Sequence, residues 1–397
     1  MPKKAVTVSR KKGRIKAIRK NENKWILMEK YVIIRNMFYR LDKEERNLIN
    51  NTKVTGCLLG GAIGDALGYP IEFTDYEGIK QRFGKDGITH LEIPEGKNLA
   101  EISDDTQMTL FTVEGLLWAK HRQDEVGVAD IASRCFYSYQ RWLHTQGYEL
   151  AEESYRWILN DERLEIKSPL LSVKDLYAKR APGNTCIASL RRAVNQDYGT
   201  IQTPINNSKG CGGVMRVAPA GLCYASSARK AFEIGIELAA ITHTHPTGYL
   251  AAGAFAAIIA HLTKGNSIEG AVELAINILL RFAGAEETIN ALRKALVLAS
   301  EHQPSVQHIE ELGKGWVAEE ALAIGVYAAC CYPDDFVQAV RLAVNHGGDS
   351  DSTGSICGNI VGVCVGKEGI PTDWIQKLEC HDVIESMSNA LVQNFYK

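Results

Sequence analysis

The chain has 397 residues, of which 45% are hydrophobic, and its formal net charge is −2 at pH 7. This length provides a sizeable buried core, in one large domain or in two or three smaller ones, and excludes a small domain that depends on disulfides. The charge is unevenly distributed, because residues 1–50 contain 15 Lys or Arg and 5 Asp or Glu, whereas the rest of the chain contains 30 and 42.

Residues 1–50 are predicted to form a separate basic arm, flexible or partly helical. Such an arm is able to bind nucleic acid or an anionic membrane surface, but its most basic part, residues 3–20, contains no aromatic residue, which is more typical of a solvated segment. The arm has no uninterrupted apolar region, so we do not predict a secretory signal. An alternative interpretation is that the protein starts at Met28 or Met37, which would remove part of the arm.

The remaining residues, 51–397, are predicted to form one compact all-α domain. Apolar residues recur at intervals of three and four, and no fixed-period repeat or flexible linker interrupts the pattern. Residues 87–93 fit either a short strand or a loop. The predicted helices in chain order are 52–67, 104–122, 128–144, 184–194, 228–242, 247–262, 267–283, 286–300, 317–330, 334–344, 352–365 and 383–395.

The first predicted helix is rich in glycine, with Gly60, Gly61, Gly64 and Gly68 close together. Each glycine costs about 1 kcal/mol of helix propensity relative to alanine, so close helix packing through small residues is the expected compensation for most of them. Asp65 lies within this helix and Glu72 follows it, after a proline. We expect both carboxylates to face a site, with Glu72 on a loop that reaches the reacting centre.

Two acidic motifs are the strongest functional signal in the chain. They are Ser-Asp-Asp-Thr at 103–106 and Gly-Gly-Asp-Ser-Asp-Ser-Thr-Gly at 347–354. Each motif, and the first especially, also fits a helix N-terminus with a polar cap and acids in its first turn. Together they offer four carboxylates with flanking hydroxyls, the oxygen ligands of Mg²⁺, Mn²⁺ or Ca²⁺ rather than Zn²⁺. Convergence of four carboxylates predicts a metal pair between them.

Three loops between the acidic motifs are candidate ligand loops: 180–185, 207–216 and 242–246. The first precedes a predicted helix whose N-terminal amides favour phosphate, and the second is open to the same interpretation, although Pro-Gly-Asn is also an ordinary turn. Neither loop has the spacing of a P-loop or a dinucleotide fingerprint. His243 and His245 in the third loop are spaced as a pair of transition-metal ligands, but hydrogen bonds to a ligand or the backbone are favoured over zinc.

The cysteines and the apolar segments indicate the compartment. Ten cysteines are present, none in a Cys-x-x-Cys pair, and many lie in apolar or helical runs, which is typical of reduced, buried thiols. No unbroken apolar run reaches the length of a membrane span, and the closest is residues 249–262. The chain is therefore predicted to be soluble and cytoplasmic.

The order of these motifs resembles the ADP-ribosylglycohydrolase family, which includes dinitrogenase reductase-activating glycohydrolase and the mammalian ADP-ribosyl-acceptor hydrolases. The likeness covers nearly all of residues 52–395. It rests on the opening helix and loop at 56–72, on both acidic motifs and on the segments between them, which are Pro-Gly-Asn-Thr, Gly-Cys-Gly-Gly-Val-Met-Arg, Thr-His and residues 315–322.

This resemblance implies an all-α fold with a binuclear Mg²⁺ cleft, in which Mn²⁺ is a possible substitute, and hydrolysis of the bond between ADP-ribose and an acceptor. It implies catalytic roles for Glu72 and Asp349, with the acid and base assignment left open. The implied metal ligands are Ser103, Asp104, Asp105, Asp349, Asp351 and Ser352. The positions implied to line the ADP-ribose pocket are Gly183, Ser208, Gly210, Gly212 and His243.

Two residues depart from the family pattern. Cys211 replaces an asparagine of some relatives, and Lys209 replaces an aromatic residue of the serine-directed type, so Lys209 either contacts a diphosphate or is solvated. We expect a monomer that acts on an ADP-ribosylated protein or small molecule, with an arginine linkage favoured. The alternatives are a serine, nucleic-acid or free ADP-ribosyl linkage, a non-catalytic crystallin-like protein, or a nucleic-acid-binding protein led by the basic arm.

Overall fold

The computed structural model describes residues 50–148, 168–193 and 197–396. These residues are helical, contain two isolated β-bridges and no strand, and confirm the predicted all-α class. Residues 87–93 form a loop. The predicted basic arm lies outside the described residues, except for residue 50, which is helical.

The described part of the chain contains sixteen α-helices, which we number in chain order. They are α1 (50–68), α2 (Tyr76–Phe83), α3 (Asp104–Val126), α4 (Ile131–Thr145), α5 (Asn184–Arg192), α6 (Ala218–Cys223), α7 (Ala228–Ala240), α8 (Pro246–Thr263), α9 (Ile268–Leu279), α10 (Glu286–Ser300), α11 (Val306–Leu312), α12 (Ala318–Cys331), α13 (Phe336–Val344), α14 (Ser350–Val365), α15 (Thr372–Lys377) and α16 (His381–Phe395).

All twelve predicted helices are present, with ends that differ by a few residues. Prediction missed the four shortest helices after α1, namely α2, α6, α11 and α15, because eight residues or fewer give too little hydrophobic periodicity to recognise. Two of these have side-chain caps that the sequence shows: Asp75 accepts from the amide of Gly78 before α2, and Ser305 accepts from the amide of His308 before α11.

Helix α8 lies at the centre of the fold and is buried along nearly its whole length. It packs against α6, α7, α9, α12 and α14. By length and hydropathy, α8 and the segment Asn50–Ile71 are able to cross a membrane, which the sequence analysis did not anticipate. However, 83% of the apolar window of α8 and 89% of that of Asn50–Ile71 are buried inside the protein, as in core helices.

Helices α1 and α14 pack in antiparallel contact along a seam of small residues spaced four apart. A Cβ atom added at Gly56, Gly60 or Gly64 would lie less than 3.0 Å from the backbone of Gly362, Gly358 or Gly354, respectively. At the end of the seam, Gly68 meets the backbone of Ser350 in the same way. The expected packing role of the first-helix glycines is therefore confirmed, and the seam fixes the end of α1 against the start of α14.

We expect Gly60→Ala to lower the free energy of unfolding by about 2 kcal/mol, because the strain of a methyl group against the Gly358 backbone exceeds its gain in helix propensity. Equilibrium denaturation measures the change. The matched control is Gly270→Ala in α9, where the added methyl group meets no backbone atom and only the Ser267 hydroxyl, the cap of the helix, at 3.1 Å, so stability should change little. Equal free energies of unfolding of the two variants would contradict the inferred contribution of the seam to stability.

Candidate active site

The two acidic motifs meet in space, at the start of α3 and the start of α14. The charge of Asp351 acts on every other carboxylate of the cluster, which shows how closely they gather. The sequence predicted a convergence of the four carboxylates of the motifs and a site facing Asp65 and Glu72, and the structure brings all six together. All six are buried, and they are Asp65, Glu72, Asp104, Asp105, Asp349 and Asp351.

Asp65 holds the start of α3 in place. Its carboxylate accepts hydrogen bonds from the Ser103 amide at 3.1 Å, from the Thr106 amide at 3.1 Å and from the Thr106 hydroxyl. Ser103 itself caps the helix, since its hydroxyl accepts from the Asp105 amide at 3.2 Å. The helix-cap interpretation and the site interpretation of this motif are therefore compatible, because capping fixes the direction in which Asp104 and Asp105 project.

At the other helix start, Asp349 is the N-cap of α14 and accepts from the Ser352 amide at 3.4 Å. The same amide donates to Asp351 at 2.9 Å. Cys211 donates its thiol proton to Asp349 Oδ2 at 2.8 Å. The residue that departs from the family pattern is thus a direct hydrogen-bond partner of a proposed metal ligand.

Glu72 follows the short 3₁₀ turn at Tyr69–Ile71, directly after α1. One carboxylate oxygen each of Glu72, Asp349 and Asp351 lies within 4.8 Å of the other two. Glu72 Oε2 and Asp105 Oδ2 are buried and have no hydrogen-bond partner among the described residues. The prediction that Glu72 reaches the acidic cluster from a loop therefore agrees with its position.

Burial and mutual repulsion make ionisation of the cluster unfavourable. Burial first, and the charge of Asp351 second, raise the pKa of Asp65 to about 7 and that of Glu72 to about 10. The same two causes raise the pKa of Asp104, Asp105 and Asp349 well above the usual range. The carboxylates therefore require positive charge among them in order to ionise together at neutral pH.

The predicted pocket residues lie beside this cluster. The Gly183 amide donates to Asp104 Oδ2 at 3.2 Å, and Gly183 is the N-cap of α5. The Ser208 hydroxyl accepts from the Gly210 amide at 3.3 Å and lies 3.2 Å from Thr185 Oγ1. Together with Cys211, these contacts join the first two candidate ligand loops to both acidic motifs.

His243 lies against the glycines of the second loop. A Cβ atom at Gly212 would be 3.0 Å from His243 Cε1, and one at Gly210 would be 3.5 Å from Nε2, so the glycines permit this approach. Burial and the charge of Arg216 lower the pKa of His243 to about 3. The ring is therefore neutral. His245 has a different role, because its Nδ1 accepts from the Thr247 amide and caps α8.

Arg216 fixes the orientation of His243, a role that the sequence analysis did not find. Its guanidinium is fully buried and donates to the Gly212 carbonyl at 2.8 Å and to Thr242 Oγ1 at 2.6 Å. The Thr242 hydroxyl also lies 2.8 Å from His243 Nδ1, where the tautomer of the ring decides which of the two atoms donates. The other ring nitrogen, Nε2, faces Gly210.

Lys209 forms ion pairs rather than being simply solvated. Its ammonium lies 2.8 Å from Glu287 Oε2 and also contacts Glu319. The Lys209 carbonyl accepts from the Ala318 amide at 2.8 Å. Side chain and backbone thus anchor the ligand loop to α10 and the start of α12, so the Lys209 ammonium is not free to bind a diphosphate in this arrangement.

Comparison with known proteins identifies the family. The profile described as ADP-ribosylglycohydrolase matches residues 47–397. This chain belongs to the ADP-ribosylglycohydrolase family. Named relatives in this family are ADP-ribosyl hydrolases, so its enzyme class is that of a hydrolase acting on glycosyl bonds.

Two named relatives align with most of this chain. It is 26% identical to ADP-ribosyl-[dinitrogen reductase] glycohydrolase of Rhodospirillum rubrum, over 82% of this chain and 90% of the relative. It is 24% identical to ADP-ribosylarginine hydrolase Tri1 of Serratia proteamaculans, over 87% and 79% of the two chains. A solved ADP-ribosylglycohydrolase-related protein complex shares the fold, with a TM-score of 0.55, 21% identity and coverage of 87% and 98%.

Without added divalent cations, we expect the free energy of unfolding of this ADP-ribosylglycohydrolase to fall as pH rises from about 7 to about 8, a window between the unfolded pKa values of histidine and cysteine. The raised carboxyl pKa values mean that the folded state binds more protons than the unfolded state and loses them in this range, which costs about 1.4 kcal/mol per pH unit for each proton.

Denaturation in a chelating buffer at several pH values measures this slope. Asp105→Asn should flatten it, because one charge of the cluster is removed. Asp382→Asn is the control, since that side chain is 92% exposed and should leave the slope of the native protein unchanged. A stability that rises between these two pH values would contradict the inferred repulsion.

Proposed function

We propose that this chain is a Mg²⁺-dependent hydrolase that releases ADP-ribose from a modified arginine side chain. The observation that carries the metal requirement is the cluster of six buried carboxylates, in which Glu72 Oε2 and Asp105 Oδ2 have no partner among the described residues. An oxygen-only donor set with excess negative charge suits a hard cation such as Mg²⁺, and Mn²⁺ as its substitute.

Two sets of side chains would hold a pair of these cations. The start of α3 supplies Ser103, Asp104 and Asp105, and the start of α14 supplies Asp349, Asp351 and Ser352. When bound, such cations activate water and orient ribose hydroxyls. The Asp65 cap and the Ser352 amide fix the two carboxylate groups toward each other.

Glu72 and Asp349 are the candidates for proton transfer and for stabilising positive charge at the anomeric carbon. Glu72 lies on a turn rather than in a helix start. One of its carboxylate oxygens lies within 4.8 Å of Asp349 and Asp351, and its Oε2 has no hydrogen-bond partner among the described residues. A carboxyl group in this position is able to protonate a leaving nitrogen or to accept a proton from attacking water. We therefore place the reacting bond next to Glu72.

The ADP-ribose moiety would extend from this point over the ligand loops. The first amides of α5, after Gly183, favour phosphate oxygens because they lack partners within the helix. His243 is neutral, and with Thr242 as the donor to Nδ1 it would offer Nε2–H to the ligand. Ser208, Gly210 and Gly212 complete the surface, and their small size allows the backbone to approach the ligand.

Two considerations favour arginine as the acceptor. A guanidine leaving group carries positive charge once it is protonated, and a carboxylate-rich cleft stabilises that charge more than it stabilises a neutral hydroxyl. The Serratia relative is named for ADP-ribosylarginine. Serine, nucleic-acid and free ADP-ribosyl linkages stay as alternatives within the same reaction class.

The remaining proposals concern the setting of the enzyme. All ten cysteines are free thiols, which supports a cytoplasmic protein. We propose a monomer as the active form. Contact of the basic arm with nucleic acid stays a prediction, because residues 1–49 lie outside the described part of the chain.

We expect Asp105→Asn and Asp349→Asn each to lower kcat/KM by at least about 100-fold while the protein stays folded. The reason is that loss of a metal ligand should cost more activity than loss of a residue that only hydrogen-bonds to a metal ligand. ADP-ribose release with added Mg²⁺ measures activity. The same variants should lose the rise in melting temperature that Mg²⁺ gives the native protein. Asp382→Asn is the matched surface control. Full activity of either site variant would rule out the proposed metal centre.

The linkage is tested with substrates that carry ADP-ribose separately on arginine, on serine and on nucleic acid, each with and without Mg²⁺. We expect release from the arginine-linked substrate to be fastest and to require the cation, because the leaving group is then cationic. Faster release from serine or nucleic acid would replace the arginine assignment but keep the hydrolase. Equal rates of ADP-ribose release with Mg²⁺ and after chelation would contradict the proposed metal requirement.

A further inference from the structure

Two exposed aromatic rings stack on each other beside the candidate active site. Phe73 is 75% exposed and Trp316 is 39% exposed, although both are large apolar side chains. Their ring centroids lie 5.4 Å apart, with an angle of 18° between the planes. We call these two residues the aromatic pair. Contiguous exposed apolar surface marks interaction sites, whereas single exposed apolar residues are ordinary.

The aromatic pair is attached to both segments that carry the proposed catalytic carboxylates. Phe73 follows Glu72 directly in the chain. Trp316 follows Gly315, whose α-carbon is so close to Asp349 that an added Cβ atom would lie 3.3 Å from the Asp349 Cβ. The Trp316 carbonyl also accepts from the amide of Cys211, the hydrogen-bond partner of Asp349. The pair is therefore the exposed neighbour of Glu72 and Asp349.

Phe73 holds a backbone conformation that is unfavourable for its side chain. Its φ angle is +64°, in the left-handed region that bulky residues avoid. Burial does not offset this strain, because the side chain is largely exposed. Strained residues of this kind collect at functional sites. Glycine or asparagine would fit this backbone conformation with less strain, yet the position holds a phenylalanine, whose ring stacks on Trp316.

The position of the aromatic pair selects its ligand. If the anomeric carbon reacts next to Glu72 and Asp349, the group immediately beyond it is the acceptor. The adenine ring is separated from that carbon by a ribose, a diphosphate and a second ribose. A planar cation stacks well on aromatic faces, and guanidinium does so better than ammonium, whereas a serine hydroxyl has no face to stack.

We propose that the aromatic pair binds the guanidinium group of the acceptor and thereby makes the enzyme prefer arginine-linked to hydroxyl-linked ADP-ribose. This inference rests on the proposed function, and it adds Phe73 and Trp316 as residues that determine specificity. The pair holds the acceptor side of the scissile bond, and the glycine loops hold the ADP-ribose side.

The first test compares Trp316→Leu, which removes the ring, with Trp316→Phe, which keeps an aromatic face. We expect Trp316→Leu to lower the ratio of kcat/KM for arginine-linked over serine-linked substrate by about tenfold, mainly through KM, as loss of a cation–π contact implies. Trp316→Phe should restore most of the ratio. Val297→Ala, at another exposed apolar position, is the control.

Two binding measurements separate the inference from its alternatives. Free ADP-ribose should bind Trp316→Leu as tightly as the native protein, and weaker binding would assign the pair to adenine and overturn the inference. Agmatine, a small guanidinium compound, should inhibit the native enzyme, and its inhibition of the Trp316→Leu variant should be about tenfold weaker. The measurement uses whichever substrate the enzyme hydrolyses. Equal inhibition of both proteins, or an equal loss on both substrates, also overturns it.

The proposed function and this inference fail in different ways. Hydrolysis of the arginine-linked substrate with an unchanged preference in Trp316→Leu keeps the function and removes the inference. If agmatine inhibition depends on Trp316 but the enzyme does not hydrolyse the arginine linkage, the guanidinium site is supported and the proposed function is contradicted. Phe73→Gly should raise the melting temperature while it lowers the arginine preference, since it relieves strain and deletes a ring. A lower melting temperature would show that Phe73 is structural.

Discussion

The antiparallel contact between α1 and α14 is the constraint on which the active site depends. Along the seam, glycines on each helix approach the backbone of the other so closely that no side chain fits between them. The contact brings the end of α1, with Asp65 and the turn to Glu72, to the start of α14, with Asp349 and Asp351. Larger residues would separate the helices and move these carboxylates apart, so the seam sets the size of the acidic cluster.

The cluster itself is unfavourable for folding. Six buried carboxylates repel one another, and the local structure compensates only in part, through amides at two helix starts and through the Cys211 thiol. Such amides stabilise one face of a carboxylate, but the charge of Asp351 still acts on all its neighbours. The proposed cations and a cationic acceptor would relieve this repulsion, and their binding would then stabilise the folded protein.

The ligand loops are built on a buried positive charge. Arg216 has no carboxylate partner among the described residues and instead donates to carbonyls and to Thr242, below the loop that faces the pocket. Burial first, and the charge of Arg216 second, keep His243 neutral. Lys209 ties the outer side of the same loop to Glu287 and Glu319. One side of the cleft is therefore strongly acidic, whereas the loop on the other side is fixed by the basic side chains of Arg216 and Lys209.

The sequence by itself determined the helical class, the longer helices and both acidic motifs, because hydrophobic periodicity and local oxygen-rich patterns are properties of neighbouring residues. It also indicated Glu72, through its order relative to those motifs. Only the tertiary structure decided that Asp65 accepts from the amides at the start of α3, that Cys211 donates to Asp349, and that Arg216 donates to Thr242 beside His243, since each contact joins residues distant in the chain. The stacking of Phe73 on Trp316 is of the same kind, because two single aromatic residues carry no signal until the fold places them face to face.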